Sequence, residues 1–223
     1  MNIGNGENKL VSRAGNKLAM AVYGFRYDFR DKIVLDIGAS TGGFTGLALE
    51  RGAKRVIAIE KGTKQMKAPL RFDQRVELYE KTDIFQVITE TRLARRGMSE
   101  ELKKKTKIVV IPNVEVILAD VSFISLKKVL KYAQISLACS RTDFLVMLKP
   151  QFEAKPEELV RGVVKNEKIR RRIIKDFEFW LREEGFLIIR KKDNELKGRN
   201  GNRERFYFLK LGRDRDRGGK RRK

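Results

Sequence analysis

The sequence predicts an α/β protein with a mostly parallel sheet and helices on both faces. Short apolar runs typical of buried strands alternate with stretches whose apolar residues recur at helical spacing. Such alternation is typical of βαβ units, in which a helix carries the chain between two parallel strands. Glycines follow the first strand-like run, and charged residues end several of the runs. Ligands bind at that edge of open α/β sheets, so we expect the functional residues there.

The first half of the chain predicts a leading helix and then alternating strands and helices. Ser12 can cap the leading helix, and Lys17 lies beside its apolar face. That face carries Ala14, Leu18, Ala21, Val22 and Phe25. The elements that follow are strand 33–36, a helix near 43–51, strand 55–60, a short helix near 63–70 and strand 76–80.

The second half continues the pattern after a basic segment. Residues 91–107 are rich in Lys and Arg, and we expect a solvated helix or connection that is either plain surface or faces RNA. Asn166 can cap a helix whose core stripe is Ile169, Ile173, Phe177, Trp180 and Leu181. The predicted elements are strand 114–119, helix 125–138, strand 143–148, the helix after Asn166, strand 186–190 and the last strand from Glu204 to Leu211.

Composition excludes several kinds of chemistry. A chain of 223 residues that is 41% hydrophobic and 36% charged suits one globular domain with a full core. Histidine is absent, which excludes histidine metal ligands and Ser-His-Asp triads. The single cysteine, Cys139, follows an apolar stretch and is expected to be a buried structural thiol. We find no cluster of metal-ligand residues and expect no metal site.

The charge of the chain predicts a polyanionic partner. Lys and Arg number 51 against 29 Asp and Glu, so the formal net charge is +22. Nucleic acid is the first candidate, and a generally basic, solubilising surface is the alternative. The amino terminus has no apolar signal-peptide core, and no apolar run reaches membrane length. We therefore expect a cytoplasmic protein without a membrane partner.

The stretch from Asp36 to Phe44 predicts a loop that binds a nucleotide-sized ligand. Its glycines follow a buried strand and have the spacing Gly-x-x-x-Gly-Gly, which differs from the Gly-x-Gly-x-x-Gly of dinucleotide sites. S-adenosylmethionine carries no phosphate and suits this looser loop. The candidate cofactor-binding residues of the loop are Asp36, Gly38, Ala39, Ser40, Thr41, Gly42, Gly43 and Phe44.

Carboxylates at the ends of other strands extend this candidate site. Glu60 ends the second strand, about twenty residues past the glycines, where a carboxylate can accept hydrogen bonds from ribose hydroxyls. Asp83 can accept from an adenine amino group. The alternatives are an ordinary surface glutamate and an ordinary turn aspartate. Asp120 and Lys149 fall at the same predicted edge of the sheet.

Four motifs together resemble the TlyA family. They are Val11–Leu18, Asp36–Phe44, Asp120–Leu126 and Leu148–Glu153, in the family's order over about residues 9–211. The family, also called hemolysin A, belongs to the FtsJ/RrmJ-like ribose 2′-O-methyltransferases. The resemblance implies a Rossmann-like fold whose seven-stranded sheet has an antiparallel last strand. It also implies methyl transfer from S-adenosylmethionine to a ribose 2′-hydroxyl of ribosomal RNA, typically of cytidine, with the RNA or a ribosomal subunit as partner.

The family's Lys-Asp-Lys-Glu tetrad corresponds to Lys17, Asp120, Lys149 and Glu204. The resemblance implies that these four residues are catalytic. We expect Lys149 to orient the hydroxyl and take or relay its proton, with Asp120 and Glu204 holding Lys149. Lys17 would orient the ribose or stabilise developing negative charge. Asp120 is also a candidate cofactor-binding residue.

The sequence predicts three segments and leaves one alternative function open. Residues 1–9 are expected to be disordered, residues 10–211 to form the FtsJ-like methyltransferase domain, and residues 212–223 to form a basic disordered tail. Members of the family usually carry an N-terminal S4 RNA-binding domain, which we expect this chain to lack. The alternative function is a non-catalytic RNA-binding or ribosome-assembly protein that keeps the fold. The intact tetrad favours an enzyme.

Overall fold

The structure, a computed structural model, describes residues 13–97, 107–196 and 201–212. Several expectations therefore lie outside the described residues. They concern the Ser12 cap, the segment 1–9, residues 98–106 of the basic segment, and the tail from residue 213 onward.

Seven of the nine described strands form one central sheet. The nine strands are β1 Ile33–Ile37, β2 Arg55–Ile59, β3 Val76–Tyr79, β4 Val87–Thr89, β5 Val109–Ile111, β6 Val116–Ala119, β7 Asp143–Leu148, β8 Phe186–Asp193 and β9 Arg205–Leu211. The order in the large sheet is β3-β2-β1-β6-β7-β9-β8. Pairing is parallel from β3 to β7, and β9 is antiparallel to both of its neighbours. The predicted α/β fold with an antiparallel last strand is confirmed.

The strand order reverses between β1 and β6. The chain passes outward from β1 to β3 and then returns to place β6 on the other side of β1. The connections after these two strands consequently leave in opposite directions, which opens a crevice beyond their carboxyl ends. Both motifs that the sequence analysis emphasised follow these two strands.

Helices cover both faces of the sheet. They are α1 Arg13–Phe25, α2 Gly43–Glu50, α3 Glu90–Arg96, α4 Leu126–Ser136 and α5 Glu167–Glu183. On one face, α1 and α2 bury residues such as Leu18 and Leu47 with Phe206 of β9. On the other face, α4 and α5 bury Leu130 and Phe177 in a second cluster. Within the described ranges, no helix has both the length and the apolar character needed to cross a bilayer.

Local sequence signals explain the bounds of α5. The Asn166 side chain accepts hydrogen bonds from the backbone N–H groups of Lys168 (2.9 Å) and Ile169 (3.4 Å), as its predicted cap role requires. Gly185 follows the helix with φ +79°, a conformation that glycine adopts without strain. The predicted core stripe is confirmed at Phe177 and Leu181, which are fully buried.

The prediction of a short helix near residues 63–70 is wrong. The segment is a series of bends and turns that ends in one 3₁₀ turn, Leu70–Phe72. Lys64 has φ +54°, and Pro69 lacks the N–H that would continue a helical hydrogen-bond ladder. Met66 and Leu70 are nonetheless buried, so the segment is held by packing and not by helix formation.

Part of the basic segment 91–107 makes contacts that hold the fold together. Strands β4 and β5 form a separate parallel pair that the sequence analysis did not predict. In α3, the Arg92 guanidinium donates to the Ala138 carbonyl (2.8 Å) and Arg96 donates to the Ser136 hydroxyl (3.0 Å). These two arginines tie α3 to the end of α4, and whether the segment also faces RNA stays a prediction.

The expectation of a buried Cys139 is wrong as well. The side chain is exposed, because the chain has already left α4 and turned toward β7 at this point. Its sulfur lies 3.4 Å from the Thr142 hydroxyl oxygen. The apolar residues before Cys139 are those that enter the core: Leu137 and Ala138 are 2% and 1% exposed.

Candidate active site

A cavity of about 660 Å³ opens beyond the carboxyl ends of β1, β2 and β6. That volume is typical of a site for a small organic ligand. Five of the predicted site residues line it, namely Gly38, Ser40, Glu60, Asp83 and Asp120. Apolar side chains complete the wall, among them Ile37, Ile59, Ile84, Val121, Ile124 and Val129.

The glycine-rich loop brings its backbone against this cavity. Gly38 has φ +82°, and a Cβ at this position would lie 3.0 Å from the carbonyl oxygen of Asp120. Its N–H donates to the Ile59 carbonyl (2.9 Å), which fixes the loop to the end of β2. Glycine is therefore required here both by its backbone conformation and by the close approach of the loop after β6.

A smaller hollow of about 70 Å³ adjoins the cavity and shares Gly38, Ser40 and Asp120 with it. Four further predicted loop residues line this hollow, together with Ala14 of α1: they are Ala39, Thr41, Gly43 and Phe44. Most of the loop residues predicted from the sequence therefore line either the cavity or the hollow.

Asp36 and Gly42 line neither space. Asp36 is completely buried and accepts a hydrogen bond from the Thr45 hydroxyl (2.6 Å). Burial raises its pKa to about 7, the Thr45 hydrogen bond opposes this rise, and the charge on Asp120 adds to it. Gly42 has φ +88°, and a Cβ there would overlap the Leu70 side chain. Both residues support the loop from behind, and the direct ligand contact expected from the sequence stays a prediction.

Glu60 and Asp83 lie on the β2 side of the cavity. Glu60 accepts from the backbone N–H groups of Ser40 (2.8 Å) and Gly62 (2.6 Å). Asp83 caps a 3₁₀ turn by accepting from Phe85 N–H (3.1 Å), and its other oxygen lies 3.1 Å from Lys61 Nζ. A carboxylate offers about four acceptor positions, so each still has capacity for ligand hydroxyl or amino groups.

Lys149 and Asp120 form an ion pair at the edge of the cavity. Lys149 Nζ lies 2.6 Å from Asp120 Oδ1, and the same ammonium donates to the Ser122 hydroxyl (2.9 Å). The side chains are 12% and 16% exposed. Solvent screening is weak at such exposure, so the pair is held firmly, and its Asp120 member lines the cavity.

Glu204 pairs with Lys17 and not with Lys149. Lys17 Nζ lies 2.6 Å from Glu204 Oε2, and both residues are buried. Asn194 donates to the same oxygen (3.3 Å), and its backbone N–H donates to the Glu204 carbonyl (2.9 Å). The expectation that Glu204 holds Lys149 is corrected accordingly: the tetrad consists of two lysine–carboxylate pairs.

Sheet register explains why the two pairs are neighbours. In the antiparallel ladder of β7 and β9, Leu148 is opposite Arg205. The residue after Leu148 is Lys149, and the residue before Arg205 is Glu204, so the two lie across from each other at one end of the ladder. Helix α1 packs in the same apolar cluster as Phe206 of β9, which brings Lys17 to Glu204.

Sequence reasoning missed Phe123. This residue has φ +63°, which is strained for a bulky side chain, and it is 93% exposed. It lines the cavity beside Ser122, and its ring centroid lies 5.3 Å from that of Phe152. Strained, exposed residues of this kind are frequent at binding sites. The available signal was the aromatic residue directly after Asp120-Val121-Ser122.

Comparison with known proteins assigns the family. The model of the FtsJ-like methyltransferase family matches residues 10–211. The chain belongs to the FtsJ-like methyltransferase family. The TlyA resemblance is confirmed by relatives at 34% identity, so this FtsJ-like chain groups with the TlyA and hemolysin A proteins.

Three relatives illustrate the match. A Mycobacterium tuberculosis protein named 16S/23S rRNA (cytidine-2′-O)-methyltransferase TlyA is 34% identical over 94% of this chain and 71% of its own length. A Bacillus subtilis protein, YqxC, named as a candidate rRNA methyltransferase, is also 34% identical and is covered over 66% of its length. The solved structure of a candidate hemolysin from Lactococcus lactis is 30% identical, with a TM-score of 0.78 over 92% of this chain and 89% of that one. The FtsJ-like chain thus spans about two thirds of the length of the Bacillus subtilis relative.

Proposed function

We propose that this FtsJ-like methyltransferase transfers a methyl group from S-adenosylmethionine to a ribose 2′-hydroxyl of ribosomal RNA, with cytidine as the target nucleoside. The observation that carries the proposal is the Lys149–Asp120 pair at the edge of a nucleoside-sized cavity, with the Lys17–Glu204 pair beyond the adjacent end of the β7–β9 ladder. The name of the Mycobacterium tuberculosis relative supports the RNA and the nucleoside. We place the enzyme in the cytoplasm, where ribosomes are made and modified.

The residues of the cavity fit S-adenosylmethionine. Gly38 lines the cavity, and the absence of a Cβ there lets the loops after β1 and β6 meet closely around it. Glu60 would accept from the ribose hydroxyls of the donor, and Asp83 from its adenine amino group. The apolar wall formed by Ile84, Val129 and their neighbours suits the flat face of a purine. When bound, the donor supplies an electrophilic methyl group on a sulfonium.

The two lysine–carboxylate pairs would activate the ribose 2′-hydroxyl that accepts the methyl group. A ribose hydroxyl is a poor nucleophile near neutral pH and must lose its proton as the new oxygen–carbon bond forms. Lys149, held by Asp120 and Ser122, would orient the 2′-hydroxyl and take or relay this proton. Lys17, held by Glu204, would orient the ribose and stabilise negative charge that develops on the oxygen.

RNA as the substrate class has two further supports. Phe123 presents an exposed ring beside Ser122, where an unstacked base could lie against it. The net charge of +22 favours a polyanion and predicts that binding weakens as salt is raised.

The proposal is tested by transfer of radiolabelled methyl groups to separate pools of 30S subunits, 50S subunits, naked rRNA and tRNA. We expect label in a ribosomal pool, and we expect the modified linkage to resist alkaline cleavage because the 2′-oxygen is blocked. Label in tRNA alone, or label on a base, would contradict the proposal. Donor binding by calorimetry with no label in any pool would favour a non-catalytic RNA-binding protein.

Lys149→Ala is the matching variant. We expect a loss of turnover of about 100-fold or more, with donor affinity nearly unchanged, because Lys149 acts on the hydroxyl and not on the donor. Lys54→Ala is the control, since Lys54 is exposed at the opposite edge of the sheet. Turnover by Lys149→Ala within a few-fold of the Lys54→Ala value would remove Lys149 from the reaction.

A further inference from the structure

The outer face of α5 carries a line of exposed cations. We call Lys168, Arg171, Lys175 and Arg182 the basic stripe; all four are exposed. Their positions, i, i+3, i+7 and i+14, place them on one side of the helix, opposite the buried residues. Phe179 lies on the same side and is 59% exposed. The stripe is about 21 Å long at 1.5 Å per residue.

The cations of the basic stripe have no acidic partner among residues 13–97, 107–196 and 201–212. The acidic residues beside them are mostly engaged by other groups. Glu167 pairs with Arg203 (3.0 Å), Asp176 with Arg172 (3.4 Å), and Glu178 with Lys191 (2.7 Å). Of the acids in α5, Glu183 in the last turn is left without a pair in the described part of the chain.

The basic stripe starts close to the candidate active site. The ion pair between Glu167 and Arg203 holds the first turn of α5 against the residue that precedes Glu204. The basic stripe therefore begins beside the segment that carries the tetrad residue Glu204. Neighbouring acids that are already neutralised do not repel a polyanion there.

We propose that the basic stripe binds the phosphate backbone of the substrate RNA at a segment outside the methylated nucleotide. The inference rests on the proposed function for its choice of RNA. Because these four cations have no ion pairs within the described ranges, none has to be broken when they bind phosphates. Their binding releases the counterions of the RNA, which favours association. The exposed ring of Phe179 adds an apolar contact for a sugar or base between the cations.

The test compares two variants that lose the same charge. In the stripe variant, Lys168, Arg171, Lys175 and Arg182 are changed to Gln, a good helix former. In the control variant, Arg51, Lys54 and Arg141 are changed to Gln and Arg26 to Asn, which tolerates the φ of +53° at that position. All four control residues are exposed near the opposite edge of the sheet. The probes are a short RNA duplex, a single strand of the same sequence, and 30S and 50S subunits.

Binding is measured across a range of salt concentrations, with donor binding and unfolding by urea as checks on the fold. We expect the stripe variant to bind RNA about tenfold more weakly and its slope of log K against log salt to fall by about 3, because four phosphate contacts are lost. The control variant should bind nearly as the wild type does. In the methylation assay, KM should rise while kcat is retained.

Equal affinity and equal slope for the two variants would overturn the inference. So would a stripe variant that binds all of these RNA probes as tightly as the wild type does. RNA binding is measured in an assay that does not depend on methyl transfer. The outcome for the basic stripe is therefore independent of the outcome for the proposed function. Loss of RNA affinity in the stripe variant with no methylation by the wild type would support the stripe and contradict the proposed function.

Discussion

At the scale of single residues, the choice of partner by Glu204 decides how the tetrad is organised. Glu204 Oε2 lies 2.6 Å from Lys17 Nζ, in a pair whose side chains are 11% and 5% exposed. Removing one member leaves the other charge nearly buried and unpaired. We expect Glu204→Gln to lower the free energy of unfolding by about 2–3 kcal/mol, and Lys17→Met combined with Glu204→Gln to recover part of that loss.

A double-mutant cycle on urea unfolding measures the pairing. We expect a coupling energy of at least about 1 kcal/mol between Lys17 and Glu204. The parallel cycle with Lys149→Met and Glu204→Gln serves as the comparison, and its coupling should be smaller. A larger coupling to Lys149 would restore the arrangement expected from the sequence and would contradict the two pairs described above.

Asp36 gives the stability of the fold a pH dependence. Its pKa is raised from 3.8 to about 7, first of all by burial, so the folded state binds this proton more tightly than the unfolded state. Stability from this group is therefore present below about pH 4 and decreases as the pH rises to about 7. Asp36→Asn removes the charge, so we expect the variant to gain stability relative to the wild type from about pH 4 to about pH 7 and to hold that gain above it.

Urea midpoints at several pH values test this prediction. Asp28→Asn is the control, because the Asp28 carboxyl is exposed and its pKa is lowered to about 2 by Arg30. Asp28 titrates between about pH 2 in the folded state and about pH 4 in the unfolded state, so above about pH 5 its difference from the wild type should be constant. A difference between Asp36→Asn and the wild type that does not vary with pH would show that Asp36 titrates normally in the folded protein.

At the scale of elements, the loop after β1 and the loop after β6 act as one unit because they touch at Gly38. Gly38→Ala adds a Cβ that would lie 3.0 Å from the Asp120 carbonyl oxygen, at φ +82°. Strain of about 1–2 kcal/mol is expected from the backbone alone. The close contact should also displace Asp120, so we expect donor affinity to fall about tenfold and turnover to fall with it, since Asp120 holds Lys149.

Gly97→Ala is the control that separates backbone strain from the displacement of Asp120. Gly97 also has a positive φ, +59°, but a Cβ there meets nothing within 4 Å. This variant should lose a similar amount of stability and keep its affinity for the donor by calorimetry. Equal donor affinity in the two variants would mean that the contact between the loops does not shape the site.

At the scale of the whole molecule, the strand order assembles the site. Lys17, Asp120, Lys149 and Glu204 are distant in the chain, and Lys17 is 187 residues from Glu204. Strand β6 returns beside β1, β7 follows it, and β9 inserts antiparallel next to β7. This order brings the carboxyl ends of β6 and β7 and the amino end of β9 to one edge, with α1 packed against it.

The parts of this protein that were predictable from sequence are those set by local rules. Alternating apolar patterns predicted all seven strands of the large sheet, and Asn166 and Gly185 predicted the bounds of α5. Motif spacing predicted which residues would stand at the functional edge. These signals act over a few residues, through backbone conformation, side-chain periodicity and helix capping.

Tertiary structure decided everything that depends on a distant partner. Local sequence pattern could not predict that Glu204 pairs with Lys17 or that Asp36 is buried behind its loop. Nor could it predict that Cys139 is exposed or that Arg92 donates to the Ala138 carbonyl. Each of these outcomes depends on register and packing between elements far apart in the chain, and burial or pairing energies there exceed local preferences. The sequence by itself determined the elements and the chemistry at their ends, and the three-dimensional order of the strands determined which of those groups meet.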